Sequence, residues 1–280
     1  MRIDSHQHYW EVDRFSYGWT EAGLLELERP FLPEDLLPEL RKCEIEKTVV
    51  VQVLNSPAET EWLLELWQRD STIAGVVGWL DLQASPEALG EVVSAYSHHP
   101  GLVGVRHLVH EEQDVDWLVR EDVMRGLAVL SEGGIPFDLL LRPPHLKHVP
   151  TISEQIPNLD MVINHIAKPY IARGEISPWA DEMRAAAENP RVFCKLSGMI
   201  TEADHNDWNP VDLAPYIDVA LDTFGPYRLM YGSDWPVCTL AGSYSQVYDA
   251  LSPALGELAE EARAGILGVN AKGFYSLPDS

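Results

Sequence analysis

Asp4-Ser5-His6-Gln7-His8 near the start of the chain and Tyr231-Gly232-Ser233-Asp234-Trp235-Pro236 near its end carry the side chains with the most chemistry to offer. Alternate side chains of a β-strand project to one face, so His6 and His8 on a first strand point the same way. Two imidazoles so placed suit a metal ion or a developing negative charge. A carboxylate joins them if the first and last strands of a closed barrel are neighbours. Asp234 then meets the histidines at one rim, where eight-stranded barrel enzymes place their chemistry.

That meeting requires particular elements. Short, apolar, β-rich runs at 2–6, 48–53, 74–80, 102–108, 136–141, 161–165, 192–196 and 228–231 alternate with helical patterns at 58–69, 86–98, 122–132, 178–189 and 212–224. This is the pattern of repeated βα units around a parallel sheet. Eight runs in 280 residues predict an α/β protein, a (β/α)8 TIM barrel spanning 1–280 as a single domain, since such barrels typically need about 250 residues. An open doubly wound sheet would also alternate strands and helices, so the count favours the barrel without proving it. The segment 9–39 is long for one βα loop and rich in aromatics. It is expected to fold over the barrel mouth as a lid or interface.

With the eight runs aligned, polar groups collect at one set of strand ends. His6 and His8 end the first run, Gln52 the second, Trp79 the third, and Arg106 and His107 the fourth. Arg142 ends the fifth, His165 the sixth and Lys195 the seventh, and Asp234 follows the eighth. Each has an ordinary alternative: Asp234 as a helix cap, His165 as a core histidine, Arg106 and Lys195 as carboxylate partners, Trp79 as packing. An excess of such groups at one rim favours chemistry over packing. The chain has no phosphate-binding Gly-rich loop, no Gly-x-Ser-x-Gly elbow and no Cys-x-x-Cys pair, which leaves attack by an activated water.

Forty-four acidic against twenty basic residues give a net charge of −24, which repels nucleic acid and anionic membranes. The acids are spread as a solvated surface. No run reaches the roughly 18 apolar residues of a membrane span, and no signal-peptide pattern opens the chain. A cytoplasmic protein is expected. Cys43, Cys194 and Cys238 are few and far apart, so buried free thiols are expected in place of disulfides.

Five motifs, Asp4-Ser5-His6-Gln7-His8-Tyr9-Trp10, Gly104-Val105-Arg106-His107, Asn164-His165-Ile166-Ala167-Lys168-Pro169, Cys194-Lys195-Leu196-Ser197-Gly198 and Tyr231-Gly232-Ser233-Asp234-Trp235-Pro236, together resemble the amidohydrolase superfamily. Within it they resemble the sugar-lactonase branch of L-rhamnono- and L-fucono-lactonases. The resemblance implies a (β/α)8 barrel that hydrolyses an aldono-lactone to its sugar acid, with a metal-dependent decarboxylase of an aromatic or enol acid as the alternative. It also implies metal positions on strands one, six and eight, matched here by His6, His8, His165 and Asp234. The superfamily's fifth-strand histidine and bridging lysine have no counterpart, which argues against a two-metal centre and leaves one zinc ion or none. The implied mechanism uses Asp234 to take a proton from water. His6, His8 and His165 with Arg106 and Lys195 polarise the carbonyl, while Gln52, Trp79, Arg142 and Lys168 orient the sugar hydroxyls. The expected partner is a small-molecule sugar lactone, not nucleic acid or a membrane, and a homo-oligomer is compatible with the resemblance.

Overall fold

Eight parallel strands form one sheet in chain order: β1 (Ile3–Gln7), β2 (Lys47–Val51), β3 (Ile73–Gly78), β4 (Leu102–His107), β5 (Phe137–Leu139), β6 (Met161–Ile163), β7 (Val192–Leu196) and β8 (Leu229–Tyr231). A computed structural model of the chain describes residues 1–96 and 98–278. Every expected run overlaps a strand, and the architecture is the expected (β/α)8 barrel. The helices that follow the strands are α1 (Pro33–Lys42), α2 (Pro57–Arg69), α3 (Pro86–Tyr96), α4 (Glu121–Glu132), α5 (Val149–Gln155), α6 (Trp179–Ala187), α7 (Pro210–Phe224) and α8 (Tyr244–Ala250). The expected helix 86–98 runs through Ser97, which lies outside the described residues.

Local chemistry sets the helix starts. Pro57 and Pro210 occupy first-turn positions where a missing N–H costs nothing. The Ser56 hydroxyl accepts from Glu59 N, Asn209 Oδ1 accepts from Val211 N, and Asp212 Oδ2 accepts from Asn209 N. The same logic corrects the expected loop 9–39. It is irregular only to Leu32, because Pro33 opens α1 and Asp35 Oδ2 accepts from Leu32 N at 2.9 Å.

The barrel closes at a seam that also builds the site. No full ladder joins β8 to β1; instead the segment just past β8 pairs with the end of β1. Asp234 N donates to His6 O at 2.8 Å, and His8 N donates to Trp235 O at 2.7 Å. Asp4 reinforces the seam: its Oδ1 accepts from His6 N and Ser233 N, and its Oδ2 from the Tyr244 hydroxyl. The barrel interior is filled by Ile3, Val49, Val51, Val77, Val103, Val162 and Met230. Tyr275 and Leu277, just past the C-terminal helix Asn270–Phe274, pack into the same cluster. All three cysteines are free and buried, as expected. Among the described residues no helix is long and apolar enough to cross a membrane.

Candidate active site

The two backbone bonds of the seam carry Asp234 into the space between the histidines. Its Oδ1 lies 3.2 Å from His8 Nε2, 3.6 Å from His165 Nε2 and 3.9 Å from His6 Nε2. All four side chains are buried. Asp234 adopts φ 58° to point there, a left-handed conformation that costs a non-glycine residue about 1–3 kcal/mol. His165 stands at φ 54° and opens a run of four such residues through Lys168. Two glycines make room: a Cβ on Gly198, itself at φ +58°, would lie 2.5 Å from His165 Nδ1, and one on Gly232 would lie 2.6 Å from His6 Cβ.

Hydrogen bonds fix each ring. His8 Nδ1 sits 2.7 Å from Val51 O, and a carbonyl only accepts, so the proton is on Nδ1 and Nε2 turns its lone pair toward Asp234. His165 Nδ1 pairs with Ser197 Oγ at 2.9 Å. His6 is flanked at 3.3 Å by Lys195 Nζ on Nδ1 and by Arg106 Nη1 on Nε2.

Burial and neighbouring cations set the charges. Burial, then Lys195, holds His6 well below its ordinary pKa, and burial does the same for His165 and, less strongly, His8. All three rings are neutral at pH 7. Burial works to raise Asp234, but the polar groups around it, the Lys168 cation among them, outweigh it and hold the carboxyl below its usual range. Arg106 is lowered by burial only to about 10 and stays charged.

Behind the histidines lies a charged column in which Lys195 meets Asp138, a partner that the sequence did not single out. Lys195 Nζ donates to Asp138 Oδ2 at 2.7 Å with neither side chain exposed. Asn164 Nδ2 also donates to Oδ2, and the Tyr275 hydroxyl to Oδ1 at 2.7 Å. One signal for Asp138 existed in the sequence: a charge between Phe137 and Leu139 in an apolar strand must have a buried partner.

A cavity of about 200 Å³ opens above this floor, walled by His8, His165, Asp234, Arg106, Lys168 and His110 and, from the first loop, by Tyr17 and Trp19. The structure therefore divides the residues expected to hold substrate. Arg106 and Lys168 face the cavity; Lys168 Nζ also pairs with Glu202 at 3.1 Å. Lys195 is fully buried beneath His6 and does not line it. Gln52 is also buried, and its side-chain and backbone oxygens brace the Arg106 guanidinium. Trp79 donates to His107 Nδ1 at 3.1 Å, and Arg142 reaches toward Glu202 at 3.6 Å with its side chain partly in solvent; neither lines the cavity. The reading missed Trp19 and His110 because loop positions give no periodic signal.

Among the described residues, His6, His8 and Asp234 form a group whose ligand atoms all lie within 4.8 Å of one another. His165, expected with them, stands beside this group and not within it.

Comparison with known proteins agrees with the geometry. The chain is 36% identical to the L-fucono-1,5-lactonase of Burkholderia ambifaria over 283 residues, 99% of this chain and 96% of that one. It is equally similar to the L-fucono-1,5-lactonase of Burkholderia multivorans. The crystal structure of an amidohydrolase from Burkholderia multivorans with bound zinc superposes with a TM-score of 0.92 at 36% identity, covering 99% of this chain and 100% of that one. The family model described as amidohydrolase matches residues 3–277, nearly the whole chain, and this chain belongs to the amidohydrolase family.

Proposed function

We propose that the chain hydrolyses a sugar-acid lactone to the open aldonate, using a water activated by Asp234. The observation that carries the reading is the convergence of three neutral histidines on one ionised, buried carboxylate at the cavity floor, in a chain 36% identical along its length to L-fucono-1,5-lactonases. That similarity favours ester hydrolysis over decarboxylation.

Asp234 takes one proton from water as the water oxygen bonds to the lactone carbonyl carbon. The displaced electron pair moves to the carbonyl oxygen, which the Arg106 guanidinium on the cavity wall is placed to stabilise. Collapse of the tetrahedral intermediate breaks the bond to the ring oxygen, and Asp234 returns its proton there. The new carboxylic acid loses its proton to solvent. Gln52 acts through Arg106 by holding it, and Lys195 acts through His6 by keeping that ring neutral and oriented.

The donor set also fits a metal. His8 Nε2 and Asp234 Oδ1 are two acceptors 3.2 Å apart, an arrangement that a cation resolves, and nitrogen and carboxylate ligands suit zinc. His6, His8 and Asp234 would hold one ion, with His165 adjacent. When bound, it would supply Lewis acidity and lower the pKa of water at the site.

The test is acid release over a panel of aldono-lactones, including the L-fucono form, with and without a chelator. Turnover of at least one sugar lactone is expected. Silence across the panel, or release of CO2 from an aromatic acid, would overturn the reading.

A further inference from the structure

His107, the residue after Arg106 at the end of β4, takes no part in the chemistry above, yet it is firmly held. Its ring stacks on Trp117 with centroids 4.1 Å and planes 15° apart. Trp79 Nε1 lies 3.1 Å from Nδ1, and Glu112 Oε1 lies 2.7 Å from Nε2. An indole N–H only donates, so Nδ1 accepts. Burial holds His107 below its ordinary pKa, and the single proton of the neutral ring is therefore on Nε2. That proton is donated to Glu112, a bond strengthened by the charge of the carboxylate. Asn55 Nδ2, 3.4 Å from the same Nε2, is then a neighbour and not a donor.

The bond closes a short loop of chain. Between His107 and Glu112 runs the turn Val109–Glu111, in which Glu111 N donates to Leu108 O at 3.0 Å and Glu112 N to Val109 O at 3.1 Å. Leu108, His110 and Glu111 line the cavity, while Val109 between them is buried in the core. The start of the turn is tied to the loop after β2, since Leu108 N donates to Asn55 Oδ1 at 3.2 Å. The Glu112 side chain, reaching back to His107, fastens its far end.

We propose that His107 and Glu112 are positioning residues: their hydrogen bond clasps the turn after β4, so that Leu108, His110 and Glu111 stand as a preformed wall for the substrate. This rests on the lactonase reading above and deepens it. Without the clasp the turn spends part of its time in other conformations, and substrate binds only the fraction in which the wall is in place. Affinity falls by that fraction. The chemistry is untouched once substrate is bound, because Asp234 and the histidines are held by β1, the turn after β6 and the seam.

The experiment compares kcat and KM of the wild-type holoenzyme, Glu112→Ala and Glu112→Gln on L-fucono-1,5-lactone or the best sugar lactone of the panel. The Glu112 side chain is 31% exposed, so its replacement leaves the core intact, with circular dichroism as the check. Glu112→Ala is expected to raise KM about tenfold with kcat within about twofold of wild type, the signature of lost binding. Competitive inhibition by the ring-opened acid is expected to weaken by the same factor. Glu112→Gln keeps an oxygen that accepts from Nε2 and is expected to stay within about threefold of wild type in both constants. A rise in KM below about threefold in Glu112→Ala, a kcat loss as large as the rise in KM, or a Gln variant as impaired as the Ala variant would overturn the inference while leaving the lactonase reading intact. A wild type that opens no sugar lactone would overturn both.

Discussion

The His8–Asp234 contact shows how much a single residue's hydrogen bonds decide. Because Val51 O accepts the hydrogen bond from Nδ1, the neutral ring presents its Nε2 lone pair to the carboxylate side, where a cation or a water proton can meet it. His6, His8, His165 and Asp234 were legible in the sequence because few apolar strands end in such groups without a use for them. Lys195 and Gln52 were legible as strand-end polar residues but not as supports, since sequence places a residue on a strand without saying which polar side chain lies in front. The buried Lys195–Asp138 pair is open to test. Lys195→Met leaves a carboxylate buried with neutral partners only and is expected to lose about 3 kcal/mol or more in denaturant unfolding. The double variant Lys195→Met/Asp138→Asn is expected to recover most of that, because the uncompensated charge is gone. A double variant as unstable as the single one would show that charge pairing is not what the column provides.

At the scale of elements, the eight strands were readable and the turn after β6 was not. Apolar β-branched runs such as Thr48 to Val51 fit strands buried on both faces. By contrast His165-Ile166-Ala167-Lys168 contains no glycine and yet takes φ between 45° and 59°, against the preference of each residue type. Tertiary contacts enforce it: His165 Nδ1 bonds Ser197, and Trp179 Nε1 donates to Ile166 O at 2.7 Å. Helix α1 was hidden for a simpler reason. It carries two prolines: Pro33 in the first turn is harmless, whereas Pro38 stands inside the helix, where sequence argues against one. The close approach of Gly198 to His165 gives an element-level prediction. Gly198→Ala is expected to cut kcat at least tenfold by pushing the His165 ring, with a stability loss of about 1–2 kcal/mol from the positive φ. Unchanged kcat together with lowered stability would mean that the ring's position is not critical.

The last part of the chain is tied back to the barrel twice, at the seam where 233–235 meets β1 and at the plug where Tyr275 reaches Asp138 on β5. The barrel class was readable from the count of βα units, but the plug was not, because nothing in the last residues marks them as interior. The buried titratable groups give the molecule a pH dependence. His6, His8 and His165 have folded pKa values below the ordinary 6.5, so below pH 6.5 the unfolded chain binds the extra protons and stability falls. Asp4 and Glu59, raised by burial to about 6 and about 7, act with the opposite sign above their unfolded values. His107, His110 and His145 are lowered by burial as well, and Glu111 and Glu182 raised, so six depressed histidines stand against four raised carboxylates and stability falls as the pH drops below 6.5. Metal-free protein is therefore expected to show a lower Tm at pH 5.5 than at pH 7.5; a flat or rising Tm would contradict the neutral-histidine assignment. The central claim, that Asp234 activates water for lactone opening, is tested most directly by acid release from L-fucono-1,5-lactone by wild type and Asp234→Asn, with circular dichroism as the check on folding. The account predicts turnover by the wild type and a loss of about 10³-fold or more in a folded variant, whereas near-normal turnover by folded Asp234→Asn would contradict it.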